Sequence, residues 1–279
     1  MRVTAAALLL AGIATLGIGS TPAQVATSSQ NAPVQVRTLK LVSSDLVDAD
    51  RYRIVQAFQG GTYSPQELSE RVRQALRDVG FYKAHADTPQ LTGQTNSTQP
   101  GSADVTILVT AGAQYRLADI RFRGPSDFTK DQLVYTPEQL RAQFQLEPGT
   151  LFNATAIGRG LDRVRTLYQG RGYADFGAIP KPEIDESHHT IGLTIVIDKG
   201  RPYYFGRLIL AGAEAHTGDA KNLLDAWSSM QSRPYNPQLL ASWLAKNASF
   251  WPSPSDSMQH ISTAPNPQTQ LMDVQLNLP

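Results

Sequence analysis

The chain has no cysteine among its 279 residues. No disulfide can hold it together, and no thiolate can serve as nucleophile or metal ligand. Net charge is almost absent too: 25 lysines and arginines stand against 24 aspartates and glutamates, for a formal charge of +1. With no block of Lys or Arg to break that balance, a nucleic-acid footprint is not indicated. Tryptophan is scarce, and Trp227, Trp243 and Trp251 all fall near the C-terminal end. Long hydrophobic runs are missing after the N-terminus. There, Arg2 precedes an uncharged stretch from Ala5 to Gly19, short of the ~20 residues a spanning helix needs. Thr21-Pro22-Ala23 then places small residues at positions −3 and −1 of a signal-peptidase site, so residues 1–23 read as a signal peptide with Gln24 as the mature start. An uncleaved membrane anchor is the alternative. Export without cysteine fits a bacterial periplasmic protein that is held together by packing alone.

What is present is a globular composition, 41% hydrophobic and 18% charged, and a repeat. Gly112, Tyr115, Leu117, Ile120, Phe122 and Gly124 follow the pattern G-x-x-Y, apolar, two residues, apolar, one residue, apolar, one residue, Gly. The same pattern returns 88 positions later at Gly200, Tyr203, Phe205, Leu208, Leu210 and Gly212. Val36, Leu39 and Leu41 are a fainter copy without the glycines. Self-similarity at such a period means one structural unit used several times. The division it implies is a linker over 24–35 and units over 36–112, 113–200 and 201–279.

Each unit reads as strand, helix, helix, strand, strand. In the first, Val36 to Val42 alternates as a strand, and Asp48 to Gln59 is a helix with Tyr52, Val55 and Phe58 on one face. A second helix is capped by Ser64, with Pro65 at N1 and Glu67 closing a capping box. It carries Leu68, Val72, Leu76 and Val79 and stops at Gly80. A strand begins at Phe81, Leu91 to Ser102 is a polar loop, and Val105, Ile107 and Val109 alternate in a third strand. The middle unit repeats this with a strand from Tyr115, a helix over Thr136 to Gln145 and a second helix capped by Asn153. A strand follows from Tyr173 to Ile184, and then alternation at Ile191, Leu193, Ile195 and Ile197. The third runs from a strand at Tyr203 through a helix over Gly218 to Met230. Its second helix is capped by Asn236 and breaks at Phe250-Trp251-Pro252. A weak strand over Met258 to Thr263 precedes alternation at Met272, Val274, Leu276 and Leu278.

This order, the Gly-Tyr join and a second helix ending in Leu167-Tyr168-Gln169-Gly170-Arg171-Gly172-Tyr173 resemble the POTRA (polypeptide-transport-associated) domain. Ala154 stands where the family's second helix usually begins with Pro. The resemblance implies an α+β fold: three tandem units, each with a three-stranded mixed sheet covered by two helices. Such domains form the periplasmic part of BamA- and TamA-like factors, attached to outer-membrane barrels that assemble other barrels or export proteins. The chain ends at Pro279, and no barrel is expected from it.

The resemblance also implies a mechanism. The strand after the second helix would lie at a sheet edge, where unpaired backbone groups can accept a partner strand. The residues assigned to that edge are Tyr173, Asp175, Gly177, Ile179 and Ile184 in the middle unit, and Met258 and His260 in the third. A third candidate is Phe81 to Leu91. Pro180 and Pro182 remove donors from the middle edge, which makes them as consistent with protection against aggregation as with docking. Gly124, Gly172 and Gly212 are assigned to turns or close packing, Gly112 and Gly200 are structural positions of the repeat, and Tyr115 and Tyr203 are assigned to joins between units. The expected partners are unfolded or nascent outer-membrane proteins, or an assembly or secretion complex. A rigid spacer for one separately encoded barrel, or a truncated inactive relative, are the alternatives. No catalytic, cofactor or metal site is expected. His188 and His189 sit in a hairpin turn, and Gly158-x-Gly160 lacks the strand-to-helix context of a phosphate loop.

Overall fold

A computed structural model describes residues 32–93, 101–125, 133–212, 217–247 and 259–278. The signal peptide, most of the linker, the Phe250-Trp251-Pro252 break and Met258 lie outside these residues. The elements in chain order are β1 (Val34–Val42), α1 (Asp48–Phe58), β2 (Thr62–Tyr63), α2 (Pro65–Asp78), β3 (His85–Ala86), β4 (Gln90–Thr92) and β5 (Ser102–Thr110). Next come β6 (Arg116–Arg123), α3 (Pro137–Arg141), α4 (Ala154–Gln169), β7 (Gly177–Asp185) and β8 (Thr190–Asp198), then β9 (Tyr204–Ala211), α5 (Thr217–Trp227), α6 (Pro237–Asn247), β10 (Ile261–Asn266) and β11 (Leu271–Asn277).

They form three sheets, ordered β2-β1-β5 with β3 and β4 on the far side of β5, β6-β8-β7, and β9-β11-β10. In each, the first strand runs parallel to the last, and the last pairs antiparallel with the strand before it. Each sheet buries its alternating face in its own apolar cluster. In the middle unit Ile191, Leu193, Ile195 and Ile197 point inward beneath Val164 and Tyr168 of α4.

The two-residue gap in the repeated apolar pattern has a structural cause. Strict alternation would send Leu117 and Ile120 to opposite faces, yet both are buried. The ladder gains one residue there: Leu117 pairs with Ile191, but Ile120 pairs with Leu193. The same bulge lies between Val36 and Thr38 in β1 and between Phe205 and Leu208 in β9. In the outer units a carboxylate on the last strand secures it. Asp104 accepts from Arg37 Nε at 2.9 Å, and Asp273 accepts from the Arg207 amide at 2.7 Å. The Arg37 guanidinium, with help from Thr38, holds the Asp104 carboxyl down at about 2. In the middle unit Gly192 takes that place, and Asp119 leans over it.

A second device also occurs three times. The turn ahead of the second helix bonds to the outer edge of the first strand: Val36 with Gly60 and Gly61, Leu117 with Gly149 and Thr150, Phe205 with Ser232 and Arg233. Gly60, Gly149 and Ser232 all hold a left-handed φ there, between +62° and +84°. The beginning of each first strand's outer edge is thereby bonded by its own chain.

Several expectations are corrected. In α1, Ile54 is buried and Tyr52 is 68% exposed, because the inward face is the Arg51, Ile54, Val55, Phe58 set at helical spacing. Ser64 caps α2 by accepting from the Glu67 amide, but the Glu67 carboxylate turns outward to Arg71 at 2.9 Å. The reciprocal capping box appears at Thr136 and Gln139 instead. The helix expected over Thr136 to Gln145 is only the five residues of α3, since the chain turns at Ala142 to bury Phe144. The strand expected from Phe81 is two short pieces, β3 and β4.

Candidate docking edges

Two edge strands lie where the sequence placed candidates, with altered membership. β7 is the outer strand of the middle sheet and pairs with β8 along all nine of its residues. From Ile179 to Asp185 every residue is exposed, with Ile179 at 63% and Ile184 at 37%. Gly177 opens the strand. Tyr173 and Asp175, assigned to it from sequence, instead lie in the turn between α4 and β7. That turn forms because Tyr173 donates its amide back to the Tyr168 carbonyl and Phe176 to that of Tyr173. Both rings pack on Tyr168, Phe176 stacked at 4.5 Å and Tyr173 edge-on at 5.8 Å. The alternation that looked like strand is a helix exit.

β10 is the outer strand of the third sheet and pairs with β11 from Ile261 to Asn266. It begins later than expected. His260 lies just ahead of it, its carbonyl accepting from the Asn277 amide at 3.0 Å. The first unit's edge is interrupted between β3 and β4. An open cleft of about 580 Å3 is left there, over Val42, Thr106 and Leu108 on the sheet's uncovered face.

The joins between units are built alike. Gly80 ends α2 with φ +94°, and its carbonyl accepts the Tyr115 amide at 2.8 Å. Gly172, at φ +90°, does the same for Tyr203 at 2.8 Å. Both tyrosines are buried, at 2% and 4% exposure. Each join also takes the asparagine that caps the next unit's second helix. The Asn153 amide group donates to the Asp78 carbonyl at 2.9 Å, and that of Asn236 lies beside Gly170. At the first join Asp78 also accepts from the Thr155 amide at 2.9 Å and hydroxyl at 2.8 Å. The Tyr115 hydroxyl donates to Glu186 at 2.6 Å, and Lys83 pairs with the same carboxylate. That carboxyl is held below its usual range, first by Lys83 and then by Tyr115.

These partners were not legible in sequence. The one signal was that asparagine recurs at 153 and 236 where the first unit has Ser64. At the second join Asp175 packs against Gly200 and the Tyr203 hydroxyl, and burial, then the bond to Asp175, raises the phenol's pKa. Gly200 keeps φ +63°. Gly212, at φ +81°, packs against the Leu278 carbonyl. Gly124 follows β6, and its carbonyl accepts from Arg123 at 3.3 Å.

Gly112, at φ +73°, belongs to a clamp on the first connection. Asp45 accepts from the Gly112 amide at 2.7 Å and the Ala111 amide at 3.2 Å. The Ser43 hydroxyl and these two amides lower its carboxyl to about 2. A depressed folded-state pKa stabilises the fold above the unfolded value, ~3.9, and the contribution disappears as pH falls through the folded value. The Gly112 amide resonance is therefore expected to titrate with a midpoint near 2. In Asp45→Asn that titration should vanish. A midpoint at the ordinary carboxylate value would mean the clamp does not form.

The remaining polar candidates have structural partners. His188 Nδ1 lies 2.8 Å from Asp185 within the β7–β8 turn, and the His189 ring packs edge-on against Tyr115 at 5.8 Å. Gly160 sits inside α4, where the missing side chain makes room for the Phe144 ring. No group of three potential metal ligands occurs among the described residues. No helix among them is long and apolar enough to cross a membrane.

The POTRA family model, described as a surface antigen variable number repeat, matches residues 115–200. Among solved structures, the chain is similar to POTRA3-5 of BamA from Haemophilus influenzae. The TM-score is 0.59 and the identity 16%, over 92% of this chain and 99% of that one. That likeness is one of fold. The chain is also similar to BamA from Haemophilus ducreyi lacking POTRA domains 1-3, at TM-score 0.42 and 13% identity, over 62% of this chain and 32% of that one. POTRA1-3 of the periplasmic domain of Omp85 from Anabaena gives 0.35 and 14%, over 88% and 95%.

Proposed function

We propose, starting from a chain whose residues 115–200 are a POTRA domain and whose fold is that of a three-unit POTRA array, that it is a non-enzymatic interaction module. It acts in the periplasm, in outer-membrane β-barrel assembly or protein secretion. The observation that carries this is that β7 and β10 each form the outer strand of a three-stranded sheet with no further strand paired to them among the described residues, while the start of the opposite strand is bonded by its own chain. An edge offers the same backbone groups to any extended segment, so it binds with little dependence on sequence. That suits a client that is an unfolded barrel strand.

A second reading is favoured by the joins. The bonds among Asp78, Thr155, Asn153, Tyr115, Glu186 and Lys83 fasten the first two units together, as a spacer for one fixed partner would require. The two differ in stoichiometry. Urea-unfolded outer-membrane barrel proteins of unrelated sequence, diluted into the full chain, should all aggregate more slowly than in buffer alone. Protection of none of them would remove the client reading and leave the spacer.

A further inference from the structure

The two edges do not offer the same backbone groups. In an antiparallel pair, residues alternate between those that turn N–H and C=O toward the partner strand and those that turn both away. Which residues do which can be read from single bonds. The His189 carbonyl accepts from Arg116 at 2.9 Å, so the odd residues of β8 face β6 and its even residues face β7. Their partners are Gly177, Ile179, Lys181, Glu183 and Asp185. The residues of β7 that turn outward are therefore Ala178, Pro180, Pro182 and Ile184. The two in the centre have no N–H, and each places a ring where a donor would be. The prolines cost the internal ladder nothing and leave the middle of this edge able to accept hydrogen bonds but not to donate them.

β10 is different. The His260 carbonyl accepts the Asn277 amide, which sets the even residues inward. Ile261, Thr263 and Pro265 then turn outward, so two successive outward positions keep both donor and acceptor. The single proline lies beside the hairpin turn. The Thr263 side chain reaches back to Tyr235, leaving its backbone for a partner. On the open face the neighbouring side chains are Ser262 and Ala264, small enough to lie beside bulky residues of an incoming strand.

Resting on the edge-pairing reading above, we infer that an extended client pairs with β10 through the backbone of Ile261 and Thr263, while Pro180 and Pro182 keep β7 closed to strands. The client class is a segment of alternating polar and bulky apolar residues, the pattern of a transmembrane β-strand.

The test uses the full chain and a fluorescent decapeptide of alternating aromatic and polar residues, read by anisotropy. One peptide should bind per chain. Thr263→Pro removes an outward donor without breaking an internal ladder bond, and it should weaken binding about tenfold or more. Thr263→Val, which keeps the N–H, should bind within about twofold of the parent, a change too small to be a lost hydrogen bond. Pro180→Ala with Pro182→Ala should add a second binding site. In the unaltered sequence otherwise, a photoreactive residue at Ala264 should capture the peptide and one at Lys181 should not. Capture at Lys181 with undiminished binding by Thr263→Pro would overturn the assignment of edges while leaving edge pairing intact. No binding by the parent chain would overturn edge pairing itself.

Discussion

Gly172→Ala is expected to open the join between the second and third units while leaving both folded. Two penalties coincide at this glycine. At φ +90° an alanine is strained by on the order of 1–2 kcal/mol. Its Cβ would also sit well inside contact distance of the Tyr203 carbonyl oxygen, a backbone atom that cannot swing aside. The cheapest relief is to separate the units and give up the bond from the Tyr203 amide to the Gly172 carbonyl. Gly80→Ala, whose Cβ would come within 3.0 Å of the Tyr115 carbonyl, should show a smaller displacement, restrained by the Asp78 and Glu186 bonds. Gly149→Ala is the control. It has φ +84° with nothing within 4 Å of the added carbon, and Ser232 already occupies the equivalent turn. The chain has no cysteine, so spin labels at Arg165→Cys and Lys221→Cys report the distance between the two units directly. The account predicts a longer, broader distance for Gly172→Ala and an unchanged one for Gly149→Ala. Equal distances in both would mean Gly172 is not the pivot.

Trp227→Ala should unfold the third unit and spare the other two. The indole is 2% exposed, meets Trp243 and Phe205 edge-on at 4.9 and 5.6 Å, and donates from Nε1 to the Gly206 carbonyl at 2.9 Å. Truncating a buried tryptophan costs roughly 3–5 kcal/mol, and the stranded carbonyl adds about 1 kcal/mol or more. A unit of this size holds on the order of 4–12 kcal/mol, so from about a third to all of its stability goes. Hydrogen exchange followed by mass spectrometry should show loss of protection in peptides from β9, α6 and β11, with β5 and β8 unchanged. Uniform loss across the chain would show that the units fold as one cooperative body, contrary to their separate cores.

The repeat made the architecture legible because each unit keeps its buried positions. Val36, Leu117 and Phe205 were found as equivalents, and all three are buried beside the same bulge. The tyrosines recur at one place in the repeat, and each donates its amide to the glycine that follows the previous unit's second helix. Local alternation misled where tertiary packing decides. Tyr173, Asp175 and Phe176 resemble the start of a strand, but the Tyr168 ring draws the chain into a turn before it can extend. Leu91 reads as loop because the pieces of that edge are too short for a period to show. Tyr52 was placed inward because aromatic residues favour cores, whereas the helix phase set by Ile54 points it out. Gly177, Ile179 and Ile184, assigned to the middle edge, lie in β7. Its polarity was not legible, because whether a proline blocks an edge depends on which neighbour its nitrogen faces, and only the ladder supplies that.

The central claim is that this chain works by holding extended segments along a sheet edge. The most direct test is photo-crosslinking in the native cell, with a reactive residue at Ala264 on β10 and, in parallel, at Lys181 on β7, and adducts identified by mass spectrometry. The account predicts a ladder of different outer-membrane barrel proteins at Ala264 and few or none at Lys181. A single dominant adduct would contradict client capture and point to one fixed partner, and no adduct at either position would contradict the edge mechanism altogether.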